Sequence, residues 1–181
     1  MKNTVFDEFV KSQQADAHSD VDWNAIRDEW LRRLDELYGQ IRAFLNDYVK
    51  AGEIQLQLSP ITLSEENIGS YTAPELTLKI GRKQVKFRPI GTLMIGTRGR
   101  VDVIGPGITE ARLVLINKKF TRASDMIRLS IDFAGKLPTP PRNDPSKIDQ
   151  AWKIVTRLPE RRFIELTQET LFKMIMEVAN G

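Results

Sequence analysis

The chain has 181 residues, 41% hydrophobic and 28% charged, with no cysteine, one histidine and a formal charge of +3. These values suit one globular domain able to bury roughly two-thirds of its unfolded surface. They exclude disulfide staples, thiolate nucleophiles and metal sites built on cysteine. No stretch reaches the roughly 20 apolar residues of a membrane helix or the apolar run of a signal peptide, so the expectation is a soluble, cytoplasmic protein with no membrane partner.

Residues 1–20 carry a short apolar stripe, Val5, Phe6, Phe9 and Val10, and then a polar run to Asp20. They read as a mobile N-terminal arm, with residues 21–181 as a single domain. From Asp22 the apolar residues Trp23, Ile26, Trp30, Leu34, Leu37, Ile41, Phe44 and Tyr48 recur every three or four positions. That spacing predicts a long amphipathic helix to about Lys50, capped by Asp20 or Asp22 and stopped near Gly52. Part of the stripe also fits a heptad, which would make the helix a dimer seam. Leu31, Tyr38 and Leu45 instead widen the face toward that of a helix lying on its own core. Monomer and homodimer both stay open.

After Gly52 the period becomes two. Ile54, Leu56 and Leu58 are followed by Leu76, Leu78 and Ile80, then Val85 and Phe87, Leu93 and Ile95, Val101 and Val103, and Ala111, Leu113 and Leu115. Ile127, Leu129, Ile131 and Phe133 repeat the pattern. These are half-buried strands, separated by turns at Gly81 to Lys83, Pro89 to Gly91, Thr97 to Gly99 and Gly105 to Gly107. Ala134 to Asp149 contains four prolines and reads as a surface loop, whose PTPPR string has the composition of a polyproline ligand. AWKIVTR and RRFIELT then form a last hairpin, and Thr167 caps a final helix. The expected fold is α+β: an antiparallel meander of about seven or eight strands, with a long N-terminal helix and a C-terminal helix packed on one face.

Catalytic chemistry finds little to work with. His18 stands in the polar arm without a second histidine or a cysteine, so it makes neither a triad nor a histidine-based metal site. Asp102 and Asp132, both on the polar side of their strands, are the one interesting carboxylate pair, and their arginine neighbours suggest ion pairs over magnesium. Glu65-Glu66 read as a solvated loop. The glycines of IGTRGRVDVIGPG precede strand-like sequence and not a helix, so they read as turns and not as a phosphate cradle. No catalytic motif and no cofactor are expected.

Charge is the distinctive clue. Lys79 to Lys119 holds ten Lys/Arg against Asp102 and Glu110, a local +8 in a chain whose remainder is −5. Alternation sends Lys79, Lys86, Arg88, Arg100, Arg112 and Arg128 to the face opposite the core, with Thr92, Asp102, Ser130 and Asp132. The expectation is a non-enzymatic interaction module that binds an acidic protein partner through this basic face. The alternative is nucleic acid on the same face, weakened by the lack of exposed aromatics for stacking.

Overall fold

The computed structural model describes residues 22–92, 98–107, 110–122, 124, 149–156 and 162–180. The expectations for the arm, His18, Leu93 and Ile95, the strand Ile127 to Phe133, and most of the proline-rich loop fall outside these residues. Helix α1 spans Trp23–Phe44 and α2 Asn46–Lys50. Seven strands follow: β1 Ile54–Glu65, β2 Gly69–Ile80, β3 Lys83–Gly91, β4 Arg100–Ile104, β5 Glu110–Asn117, β6 Gln150–Val155 and β7 Phe163–Glu165. Helix α3, Gln168–Asn180, closes the described chain. The strands lie in sequential order and every neighbouring pair is antiparallel, so the α+β meander is the fold.

Both helices start where the sequence placed them. The Asp22 carboxylate accepts from the Ala25 amide at 2.9 Å, and Thr167 Oγ1 accepts from the Thr170 amide at 3.2 Å, so each satisfies a first-turn donor that the helix cannot. The expected single helix to Lys50 is broken at Leu45, whose φ of −98° and ψ of 2° leave the helical region. Neither glycine nor proline marks the break; the bent turn accompanies burial of the Leu45 side chain and an edge-on contact of Tyr48 with Phe172 at 5.7 Å. Leu34, Leu37 and Ile41 are fully buried in one cluster with Leu76, Phe87, Val103 and Leu113. That burial commits the stripe of α1 to its own sheet and removes the coiled-coil reading. Leu171, Met174, Ile175 and Val178 of α3 join the same cluster.

Two glycines seat the helices on the central strand. A Cβ on Gly99, just before β4, would lie 2.2 Å from the Trp30 ring; one on Gly105, just after it, would lie 2.2 Å from the Val178 carbonyl oxygen. Only a residue without a side chain allows α1 and α3 to approach that closely. Trp30 also meets Trp152 of β6 at 6.0 Å between ring centroids, and the Trp152 indole donates to the Arg33 carbonyl at 3.1 Å.

The hairpin β1–β2 is about twice as long as the apolar spacing suggested, and it absorbs Pro60 and Pro74 in mid-strand. The prolines stand opposite each other. Neither has an amide, so theirs is a pair that exchanges no hydrogen bonds, and both nitrogens point away from the ladder they share. Pro74 therefore faces β3, whose own Pro89 faces back, and the β2–β3 ladder ends two pairs earlier at Leu76 and Phe87. The Tyr38 hydroxyl enters this fork, donating to the Pro74 carbonyl at 2.9 Å and lying 3.1 Å from that of Phe87.

Beyond the two prolines, the far half of the hairpin turns its other side inward: Ala73 is buried, and Leu63 and Tyr71 pack on the core. Glu65 is not in a solvated loop, as its sequence neighbourhood suggested. It ends β1, accepts from the Thr92 amide at 2.9 Å and Thr92 hydroxyl at 2.7 Å, and takes the Tyr71 hydroxyl as well. Pro89 to Gly91, expected as a turn, is the end of β3 and holds a bulge against β4.

Replacing Gly99 or Gly105 by Ala should cost about 1–3 kcal/mol in chemical denaturation, since ring or helix must retreat from the new methyl. Tyr38 supplies a pH test. Burial, aided by the Glu75 charge, pushes its hydroxyl well above the ordinary tyrosine range. Above pH about 10 the unfolded chain loses a proton that the folded chain keeps, so stability should be whole below that pH and fall with rising pH, by up to about 1.4 kcal/mol per unit for this group. Tyr38→Phe should lose about 1–2 kcal/mol at neutral pH, because it orphans a buried carbonyl, and should flatten the alkaline slope.

Candidate functional site

With α1 and α3 on the inner face, β2–β5 present their other face without a helix among the described residues. Alternation from the buried Leu76, Leu78, Val85, Phe87, Val101, Val103 and Leu113 places Lys79, Lys86, Arg88, Arg100 and Arg112 there together. Arg128 lies outside the described residues, as does Asp132. The face carries an acid that the sequence reading passed over. Glu75 stands opposite Arg88 if the β2–β3 register is continued by one pair, and Arg88 in turn stands opposite Asp102, which stands opposite Arg112. Across four strands one row thus reads Glu75, Arg88, Asp102, Arg112.

The two signs occupy different depths. Side-chain exposure is 6% for Glu75 and 12% for Asp102, against 42% for Lys86, 45% for Arg88 and 44% for Arg112. Arg88 Nε donates to Glu75 Oε2 at 2.6 Å, with Lys86 Nζ at 3.9 Å from the other oxygen. Arg100 holds Asp102 with both ends of its fork, at 2.5 and 2.7 Å, while Arg112 stays 4.0 Å away. Arg100 is therefore largely spent on Asp102, whereas Lys86, Arg88 and Arg112 stand above the acids with donors still turned to solvent. Among the described side chains, five cations over two carboxylates leave the patch positive, but less so than a reading without Glu75.

The outer face does not stay charged across its width. Continuing the same row from Arg112 reaches Val155 and Phe163. There Val114, Ile116 and Phe163 form a second buried cluster with Phe120 and Val155. Lys153 lies buried on this side, and its ammonium donates to the carbonyls of Lys118 at 2.7 Å and Phe120 at 2.8 Å. These bonds tie the turn after β5 to β6, a structural use for a lysine that composition alone would add to the basic surface.

Two other surfaces compete poorly. The exposed side of α1 is a closed ion network: Arg32 and Arg33 both bond Glu29, and the Arg32 hydrogen bond holds the Glu29 carboxyl below its usual range. A recess of about 360 Å³ between α1 and β6, walled by Arg33, Glu36, Gln40, Trp152 and Glu165, mixes both signs, and Arg33 already pairs with Glu36 at 3.2 Å. No group of three or more His, Asp or Glu stands ready for a metal among the described residues, and no described helix is long and apolar enough to cross a membrane. Comparison of the chain with protein-family models, curated proteins and solved structures finds no match.

If the Glu75–Arg88 pair anchors the face, Arg88→Ala should destabilise the fold by about 1 kcal/mol, because a nearly buried carboxylate keeps only the distant Lys86. Adding Glu75→Gln should return part of the loss. Urea denaturation of the single and double variants reads this coupling, and additive effects would show that the two side chains are independent.

Proposed function

We propose that this chain is a non-enzymatic interaction module that binds an acidic segment of a protein partner through the outer face of β2–β5. The observation that carries the reading is the layering of charge: Glu75 and Asp102 are sunk and hydrogen-bonded by Arg88 and Arg100, and Lys86 and Arg112 stand beside them at 3.9 and 4.0 Å with their side chains exposed. The buried acids fix Arg88 and Arg100 on the sheet and leave the charges of Lys86 and Arg112 without a bonded counter-ion among the described residues. A carboxylate-bearing partner then meets two cations whose donors are unspent, beside Arg88, whose position its bond to Glu75 already sets. Lys79, at the margin of the same face, extends the positive field. The absence of cysteine suits a reducing compartment such as the cytosol.

Nucleic acid asks for the same charge and for something more. A single strand would want aromatic platforms beside the cations, and among the described outer positions of β2–β4 there are none. Protein carboxylates need only the fork-shaped donors that are there.

The test is a titration by fluorescence anisotropy with three probes: a labelled peptide of Glu and Asp, a single-stranded DNA and a duplex DNA. The peptide should bind, weaken as salt rises, and lose affinity several-fold in a Lys86→Gln, Arg112→Gln double variant that leaves both buried acids paired. Tighter binding of either DNA, with a much steeper salt dependence, would replace the acidic-protein reading by the nucleic-acid one. No binding of any probe would mean that the cations only solvate the sheet.

A further inference from the structure

The two edges of the sheet are treated differently. At one end β7 is three residues long, flanked by Arg162 and carrying Glu165, and its Phe163 amide donates to the Thr121 carbonyl at 2.8 Å beside a bridge between Arg122 and Arg162. That edge is short and partly covered, as sheet edges in soluble proteins commonly are. At the other end β1 is twelve residues long, and nothing pairs with its outer side among the described residues. From Ile54 to Ser64 it contains no charged residue, in a chain where 28% of residues are charged. Leu58, in the middle of this run, is 46% exposed.

We propose that β1 is a self-association edge: two copies of this chain pair antiparallel through Ile54 to Pro60 and join their sheets across a two-fold axis. The backbone sets which groups would meet. Since the nitrogen of Pro60 points away from β2, so do the amides and carbonyls of Ile54, Leu56 and Leu58, which share its parity in an unshifted ladder. A register that sets Leu56 of one copy opposite Leu58 of the other places Ile54 opposite Pro60 and forfeits only the amide that proline lacks. The same register sets Gln57 opposite Gln57 and Gln55 opposite Ser59, so no like charges face each other. Charge decides the occupant. An acidic or basic partner strand would find no complementary group along this run, whereas a second copy brings the same uncharged surface and closes both edges at once.

Sedimentation equilibrium of the full chain over a range of concentrations tests this. The wild type should weigh twice the chain mass, and Leu58→Lys, which puts an ammonium group on each side of the axis against Leu56 of the other copy, should raise the dimer dissociation constant by about tenfold or more while keeping the far-ultraviolet circular dichroism. A wild type that stays monomeric overturns the proposal. So does a dimer that survives Leu58→Lys but is dispersed by Ile164→Lys on the β7 edge. Should Leu58→Lys fail to fold, Gln57→Cys decides in its place: it stands opposite its own copy at the axis and the chain has no other cysteine, so mild oxidation should yield a covalent dimer, and its absence counts against the pairing.

Discussion

The indole of Trp30 rests on the bare backbone of Gly99, and the last turn of α3 rests on Gly105. Both contacts flank β4, the fourth of seven strands, so both helices are seated on the middle of the sheet from the same side. Other features follow from that seating. The inner face of a seven-strand meander is about 29 Å across at the usual strand spacing. A 22-residue helix, about 33 Å long, reaches across it. Once α1 and α3 occupy this side, the opposite side must be made compatible with water by its side chains.

The sheet answers that requirement in two ways. Over β2–β4 it alternates acid and base along one row, which lets Glu75 and Asp102 lie close to the backbone because each has a guanidinium above it. Over β5–β7 it turns apolar and buries Val114, Ile116 and Phe163, with the Lys153 ammonium bonded to carbonyls where it meets the turn. The change of character falls at Arg112, whose neighbour on β4 is Asp102 and on β6 Val155. Arg112 is consequently the least constrained arginine of the row, 4.0 Å from its acid, and the one whose donors are most available to a partner.

Periodicity made the element types legible. Alternation at Val85, Phe87, Val101 and Val103 assigned inside and outside correctly, and those four residues are fully buried. The candidate site was legible as five cations on one face and illegible as a network. Glu75 was missed because its place opposite Arg88 depends on the register of β2 and β3, which is set by a turn of only Gly81 and Arg82 between Ile80 and Lys83. Counting back from that turn reaches the pair, so the information was in the chain, but only through the turn length. Prolines misled in the other direction. Pro60, Pro74 and Pro89 look like breakers, yet the first two sit in strand pairs where no amide is required, and Pro89 continues β3 into a bulge. A proline breaks a strand only if its nitrogen faces the ladder, and sequence alone does not show which way it faces.

The direction of the proline nitrogens links the fork at Tyr38 to the outer edge of β1. Pro74 can face β3 only because the β2–β3 ladder stops there, and the orphaned carbonyl is taken by a hydroxyl from α1. Pro60, its cross-strand partner, faces outward, where no ladder exists among the described residues. A proline at this position forfeits one hydrogen bond to any added strand and leaves the residues before it free to pair. The lower half of β1, Ile54 to Leu58, therefore keeps the geometry of an edge that accepts a strand. The upper half curls inward, and Glu65 holds its end to Thr92. One hairpin thus closes the core at its tip and leaves its base open, and the outward direction of Pro60 follows from its lying opposite Pro74.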